Sequence, residues 1–324
     1  MIHCLAWSVS ENGSVTEPAQ TIPQAKVPEV LERPEQRVWI DAALPTVEEI
    51  AWLERTFHLH PLTVEDLRHR LQRGKVEDYE EYLFAVLHAL DLHEGEVVGE
   101  EVDLVLGHNY LVTEHEEEVD AITGLWREYS QHLRKPERGA DFLLYRLADR
   151  IVEAAFPVLD ALEDQIDAVE DEVVGHPTRQ TMARLMNLKR QLALLRKTLG
   201  PQREVLNSLM NWSHPCVSPQ VLIYFRDVYD HLVRLVETAE TQRDLTSNAM
   251  DAYLSQVSNN LNDVMRRLTV ITTVGMPLTV LTGFFGMNFQ HLPFDRAEVL
   301  LAAVLLMLAV PTAMLVWFRR NGWI

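Results

Sequence analysis

Apolar residues are distributed unevenly along the chain and accumulate at its C-terminal end. Residues 268–294 form a stretch of 27 residues without a formal charge, and residues 299–318 supply another 20. About 20 consecutive apolar residues cross a bilayer as a helix. Two buried core helices are the alternative, but segments of this length with so little amphipathicity favour membrane spans. The pattern therefore predicts two membrane-spanning helices, with the first at about 267–286 and the second at 299–318.

A long helix is predicted to lead into the first span. Apolar or small residues recur in alternating steps of four and three over two runs, which are Val221, Phe225, Val228, Leu232, Leu235 and Ala239, and then Met250, Leu254, Val257, Leu261, Val264 and Leu268. This heptad spacing is typical of helices that pack lengthwise against other helices. Neither Pro nor Gly occurs from Gln220 until Gly275. We therefore predict one continuous helix over residues 219–288, which joins a stalk to the membrane and is roughly 100 Å long at ~1.5 Å per residue.

The N-terminal part of the chain mixes short β-like runs with helical segments. Thr46 with Glu49 has the spacing of a capping box at a helix start, and Thr63 with Asp66 has the same spacing. Such a mixture over an ordinary domain length predicts an α/β head domain over residues 1–138.

After this head domain the pattern is helical only. Two long segments, 141–174 and 179–211, predict an antiparallel helical hairpin over residues 139–213, and Pro157 is expected to kink its first arm. That arm carries an acidic stretch without a basic residue, made of Asp160, Glu163, Asp164, Asp167, Glu170, Asp171 and Glu172. Either this stretch is a solvated helix face or it collects divalent cations near the membrane.

Charges next to the spans predict their orientation. Paired arginines precede the first span and follow the second, at Arg266, Arg267, Arg319 and Arg320. Because basic residues favour the cytoplasmic side, both termini should be cytoplasmic, with residues 289–298 as an extracytoplasmic loop and residues 319–324 as a basic cytoplasmic tail. We therefore expect a multi-pass protein of the plasma (inner) membrane, in contact with membrane lipid.

The charge balance excludes some partners and favours others. The chain has 48 acidic and 29 basic residues, for a net charge of −19. Nucleic acid is not expected to bind, because its affinity rests on a basic surface, whereas an acidic surface attracts cations. We find no phosphate loop, nucleophile elbow or His/Cys metal spacing, and we therefore predict that the protein is not an enzyme.

A short motif marks the outer end of the first span, where the sequence reads Thr282, Gly283, Phe284, Phe285, Gly286, Met287, Asn288, Phe289. A Gly-Met-Asn triplet alone is weak evidence, because Gly and Asn commonly end helices. Here it ends the first of two C-terminal spans and follows other recognisable segments, which are residues 60–66, 142–145, 224–231, 262–265 and 276–279. Together with the basic-aromatic end, they resemble the CorA family of magnesium channels from about residue 36 onward.

The resemblance implies a funnel-shaped homopentamer. Its fold class would be an α/β cytoplasmic head domain with a long helical stalk and two C-terminal transmembrane helices, of which the first lines a pore. Gly286, Met287 and Asn288 would form a selectivity filter that reads hydrated Mg²⁺, with Co²⁺ as a second candidate ion. The pore line implied by the family is Asp251, Leu254, Ser258, Asn262, Met265, Leu268, Thr272, Met276, Thr279 and Gly283. Met and Leu at this spacing are also compatible with plain helix packing.

The resemblance also implies regulation by Mg²⁺ bound between neighbouring heads. Its carboxylate ligands would be Asp66 and Asp227, with Glu65 and Asp149 as a second group. Without the resemblance, Asp66 would be interpreted only as a helix-start residue.

Two departures leave the ion preference open. Phe285 stands where the family often has Tyr, and the loop has no acidic residue before Asp295. A Zn²⁺ or Co²⁺ transporter akin to the ZntB branch is one alternative, although that branch tends towards Gly-Val-Asn and this chain has Met287. The second alternative is a non-conducting, membrane-anchored cation sensor or scaffold.

Overall fold

The computed structural model describes residues 1–10, 14–69, 72–133, 136, 138–175, 177–211, 214–287 and 296–323. They divide into two compact units. The first comprises Met1–Asp171 with Ala183–Asn248, and the second comprises Glu172–Met182 with Ala249–Ile324. The β-sheet lies in the first unit, and both apolar C-terminal segments lie in the second.

A mixed β-sheet forms the centre of the first unit. Its strands are β1 (Ile2–Ser8), β2 (Gln20–Thr21), β3 (Gln36–Ala43), β4 (Lys75–Asp78), β5 (Tyr82–His93), β6 (Glu96–Gly107) and β7 (Tyr110–His115). The strand order is β2-β1-β3-β7-β6-β5-β4, and only β3 and β7 run parallel. Val38, Trp39 and Ile40 of β3 are fully buried, as expected of a central strand that is covered on both faces. The predicted α/β head is confirmed.

The helices of the head and of the following helical region are α1 (Val27–Leu31), α2 (Val47–Phe57), α3 (Pro61–Arg68), α4 (Asp120–Ser130), α5 (Ala140–Glu153), α6 (Ala155–Gly175) and α7 (Arg179–Asn211). The predicted capping box of α2 is present, since the Thr46 hydroxyl accepts from Glu49 N at 3.3 Å and Glu49 Oε2 accepts from Thr46 N at 2.8 Å.

The prediction that Thr63 caps helix α3 is wrong. The helix begins at Pro61, and His60 Nδ1 accepts from Leu62 N at 3.2 Å. Pro suits the first helical position because its missing N–H has no partner there anyway, and so the helix starts before Thr63. Thr63 is instead buried, 2.8 Å from the hydroxyl of Tyr82.

The helical segment is interrupted close to Pro157, where the sequence predicts a kink. One helix ends at Glu153 and the next begins at Ala155, so that Pro157 lies in the first turn of α6. A proline inside a helix has no N–H to donate and its ring collides with the carbonyl four residues earlier, which here belongs to Glu153. The helical segment that precedes residue 176 is therefore two helices rather than one.

The long helix and the two apolar C-terminal helices are confirmed. Helix α8 (Leu222–Phe285) has 64 residues and is roughly 96 Å long at ~1.5 Å per residue. It passes through Gly275 and Pro277 without ending. Helix α9 (Ala297–Arg320) has 24 residues. Both contain a segment that is long and apolar enough to cross a membrane, and almost all of each segment is exposed in the chain.

The two heptad runs of α8 differ in burial. In the first unit, the run from Val221 to Ala239 is buried, with exposed fractions of 0–2%. In the second unit, Leu254, Leu261 and Val264 of the second run are 55%, 61% and 60% exposed. The second run thus presents an apolar face that the described residues of the chain leave exposed.

Candidate functional site

The ten pore-line residues form one exposed stripe along α8. They follow one another at steps of three or four from Asp251 to Gly283, and every one of them is exposed. Residues three or four apart share a helix face. On other sides of the same part of α8, Tyr253 and Val270 are buried, and Leu281 is half-buried. All ten predicted positions thus share one side of α8 and are exposed, but residues 258–269 are exposed around the whole helix, so exposure alone does not single out this side.

The chemistry of this stripe changes along the helix. Asp251, Ser258 and Asn262 supply oxygen atoms at one end, and Met265 and Leu268 follow as an apolar step. Beyond them, hydroxyl and apolar side chains alternate. An ion moving along such a face would meet polar groups, then apolar side chains, and then hydroxyls.

Two threonine hydroxyls of the stripe are oriented by the helix backbone. Thr272 Oγ1 donates to the Leu268 carbonyl at 2.8 Å, and Thr279 Oγ1 donates to the Gly275 carbonyl at 3.1 Å. Because the hydroxyl hydrogen is used in the helix, the remaining capacity of each exposed oxygen is as an acceptor. Acceptors are what the water shell of a cation requires, since those waters donate their hydrogens outward.

The described part of the Gly-Met-Asn triplet ends α8. Gly286 N donates to the Thr282 carbonyl at 2.9 Å, and Met287 N donates to the Phe284 carbonyl at 3.3 Å. A Cβ on Gly286 would lie 3.1 Å from the Thr282 carbonyl oxygen, which is tighter than an ordinary contact, so glycine suits this close turn. The Met287 side chain is 56% exposed. Asn288 and most of the predicted loop, residues 288–295, lie outside the described residues.

Asp66 and Glu65 lie on α3, which is anchored to the sheet by one tyrosine. The hydroxyl of Tyr82 on β5 accepts from His60 N at 2.9 Å and lies 2.8 Å from Thr63 Oγ1. This anchor places Asp66 next to β4, where Lys75 Nζ donates to Asp66 Oδ2 at 2.7 Å. Glu65 is exposed. Sequence reasoning missed Lys75, because a lysine in a short edge strand carries no signal of its own.

Asp149 and Asp227, which belong to different predicted groups, lie where α5 meets the beginning of α8. Aromatic side chains join the two helices, since the Tyr224 ring lies 5.1 Å from that of Tyr145 and 5.5 Å from that of Phe142. These rings belong to two of the sequence segments that carry the family resemblance. Their packing brings the buried Asp149 into the electrostatic neighbourhood of the exposed Asp227.

The environment of Asp149 disfavours its charged form. Burial raises the pKa of Asp149 above its ordinary value, and the nearby charges of Glu153 and Asp227 raise it further. Arg146, whose Nη1 lies 3.5 Å from Asp149 Oδ2, and His231 oppose this rise. A carboxyl group held in this way would gain from a bound cation, because the cation would replace the lost hydration.

The four predicted regulatory carboxylates therefore occupy two places in the chain. Asp149 and Asp227 are neighbours, and Asp66 with Glu65 lies on α3 beside Lys75. In the part of the chain that the structure describes, no three His, Cys, Asp or Glu side chains are grouped so that they could hold a metal ion.

A sequence model of the family described as CorA-like Mg²⁺ transporter protein matches residues 34–320. The chain belongs to the CorA family. It is 39% identical over 301 residues to the cobalt/magnesium transport protein CorA of Thermotoga maritima, an alignment that covers 88% of this chain and 85% of the relative.

Solved structures share the CorA fold over the whole chain. The complete CorA magnesium transporter of Methanocaldococcus jannaschii matches with a TM-score of 0.85 and 25% identity, covering 99% of this chain and 98% of the other. The full-length CmaX protein matches with a TM-score of 0.79 and 22% identity, covering 99% and 97%. The CorA-family fold thus includes the head sheet, the long helix α8 and both apolar C-terminal helices.

Proposed function

We propose that this CorA-family chain is a subunit of a divalent-cation channel that carries Mg²⁺, and Co²⁺ as a second ion, across the plasma membrane. The supporting observation is the exposed stripe of α8, which leads from Asp251 through the apolar segment to Gly286 and Met287. Relatives of this chain are named cobalt/magnesium transport proteins. These names describe transporters and not enzymes, which is consistent with a transport function for this chain.

One chain does not enclose a pathway, and we propose that five copies do. Each copy would contribute its α8 stripe to the pore and its uncovered apolar heptad face to its neighbours. Leu261 and Val264 are 61% and 60% exposed in the single chain, and packing against another α8 would remove that surface from water. Helix α9 would then face lipid, and both termini would lie in the cytoplasm.

Selectivity would arise where α8 ends. Mg²⁺ keeps its water shell tightly and prefers octahedral oxygen coordination. A ring of Asn288 side chains with the Gly286 carbonyls could accept hydrogen bonds from that shell without removing it. Met287 would distinguish this entrance from that of the ZntB branch, which tends to have Val at this position of the triplet.

Gating would combine a dry constriction with cations bound between heads. Met265, Leu268 and Met276 form the exposed apolar positions that could close the pore by dewetting. Asp66 with Glu65 of one chain and Asp227 with Asp149 of its neighbour would share regulatory Mg²⁺. Acidic groups from two chains repel unless a divalent ion bridges them, so that depletion of Mg²⁺ would loosen the closed assembly.

Flux into liposomes that contain the purified full chain tests this proposal. We expect uptake of Mg²⁺ and Co²⁺, and a loss of uptake in Asn288→Ala, with Asn321→Ala as the control at the other end of the spans. Uptake that prefers Zn²⁺ over Mg²⁺ would favour the ZntB-like alternative. Vesicles without uptake of any divalent ion, despite correct insertion, would favour the sensor or scaffold.

A further inference from the structure

Asp66 already has a cationic partner within its own chain. Lys75 Nζ lies 2.7 Å from Asp66 Oδ2 and 3.0 Å from Glu77 Oε1. The ammonium also lies 5.4 Å from the centroid of the Phe84 ring. The Asp66 side chain is 16% exposed and the Lys75 side chain 26% exposed, so this pair is better shielded from water than a surface ion pair.

The position of Lys75 relative to Asp66 is set by two ordered elements. Strand β4 pairs with β5 in an antiparallel register that places Lys75 opposite Val86. Helix α3 is held to the same strand β5 through the Tyr82 hydroxyl. Because both elements are fixed to one strand, the contact between Lys75 and Asp66 is a built feature of the head.

We propose that Lys75 is an internal competitor of the regulatory divalent cation at Asp66, and that it sets the Mg²⁺ concentration at which the channel is inhibited. This inference rests on the proposed regulatory role of Asp66. A divalent ion that binds Asp66 must either displace the ammonium or remain close to a like charge, and both reduce its affinity. The lysine thus keeps the site empty until Mg²⁺ is abundant.

Glu77 gives the displaced lysine a second position. Its Oε1 lies 3.0 Å from Lys75 Nζ, and its Oε2 accepts from the Tyr79 hydroxyl at 2.9 Å, so this carboxylate stays in place when Lys75 leaves Asp66. The Glu77 side chain is 39% exposed. Lys75 contacts both carboxylates in this structure. It can therefore give up Asp66 and keep Glu77, so that its charge remains compensated. Mg²⁺ binding and the position of Lys75 are coupled in this way.

The test compares Lys75→Met with Lys189→Met in the full chain reconstituted into liposomes. Lys189 is exposed on α7, and its substitution removes the same formal charge. The readout is the internal Mg²⁺ concentration that halves Co²⁺ uptake. We expect this midpoint to fall about fivefold to tenfold in Lys75→Met, as for the loss of one opposing charged hydrogen bond, and to stay at the wild-type value in Lys189→Met.

Two further variants keep the outcomes distinct. Lys75→Gln retains a hydrogen-bond donor towards Asp66 without the charge, and it should lower the midpoint even if Lys75→Met fails to assemble. Asp66→Asn should raise the midpoint if Asp66 binds the regulatory ion. A raised midpoint in Asp66→Asn with no change in either Lys75 variant overturns the competitor role alone. An unchanged midpoint in Asp66→Asn overturns the proposed regulatory site itself.

Discussion

A buried histidine should make the stability of the head depend on pH. His115 is 2% exposed; its Nε2 lies 3.2 Å from Asp41 Oδ1 and its Nδ1 lies 2.6 Å from the Glu117 carbonyl. Both partners are acceptors, so only the doubly protonated ring can donate to both. Burial alone would lower the pKa of His115, but the hydrogen bond and charge of Asp41, the Glu117 carbonyl and the charge of Glu114 outweigh it and raise the pKa.

The sign of the pH dependence follows from this raised pKa. Since the folded-state pKa of His115 exceeds its unfolded value of about 6.5, the stabilisation is complete below pH ~6.5 and is lost as the pH rises through the folded-state pKa. His115→Gln removes the cation but leaves Asp41 buried, with the Thr113 hydroxyl at 2.6 Å. Breaking one side of a buried ion pair costs about 3–5 kcal/mol. At ~2–4 °C per kcal/mol, Tm should fall by roughly 6–20 °C at pH 6.

Thermal unfolding of the purified full chain between pH 6 and pH 9 measures this effect. The difference in Tm between the wild type and His115→Gln should be largest at pH 6 and should narrow towards pH 9. His93→Gln is the matched control, because the His93 ring lies 3.3 Å from Asp91 but its side chain is 68% exposed. A difference that stays constant over this pH range, or one equal to that of the control, would show that the buried pair is not charged as argued.

Three other substitutions test the head, the regulatory site and the pore. Thr46→Ala removes the cap of α2 and should lower the free energy of unfolding by ~1 kcal/mol in denaturant titrations. Asp227→Ala should weaken inhibition of Co²⁺ uptake by internal Mg²⁺, and unchanged inhibition would exclude Asp227 from that site. Leu268→Ser places a hydroxyl at the apolar step of the stripe and should increase uptake at high internal Mg²⁺, whereas uptake equal to the wild type would place the constriction elsewhere.

The sequence predicts those parts of the fold that depend on long, regular patterns. A continuous apolar stretch and a 3.5-residue period over many turns leave few alternatives, and α8 and α9 agree with the prediction. The exact start of a helix is harder to predict where several neighbouring residues could cap it. Thr63 has the spacing of a cap, but Pro61 and His60 start α3 earlier, and the Thr63 hydroxyl bonds to Tyr82, a residue that lies far along the chain.

In the candidate site, too, features within one helix are predictable from sequence, whereas contacts between separate elements are not. That the ten stripe residues share one side of α8 follows from helical spacing, whereas their role as a pore line is implied by the family resemblance. Lys75 does not follow, because its contact with Asp66 depends on how α3 and β4 are each fixed to β5. The proximity of Asp149 and Asp227 likewise depends on aromatic packing between α5 and α8 rather than on sequence distance. Contacts between separate elements are the part that a pattern in one element does not encode.

The two heptad runs of α8 give the strongest physical argument for assembly. They have the same spacing in one helix, yet Leu232 and Leu235 are fully buried by their own chain, whereas Leu254 and Leu261 are more than half exposed. Lipid does not suit the exposed run, because charged residues such as Asp251 and Asp263 interrupt this part of the helix. Water does not suit it either, since burial of each leucine would stabilise the protein by about 1.5–3 kcal/mol. The proposed assembly would resolve this, because the equivalent helices of other copies are apolar at the same spacing and carry polar residues between the apolar positions. The proposed pore line and the exposed heptad run overlap on α8, since both contain Leu254 and Leu268, so the proposed assembly and the proposed pathway would depend on the same helix.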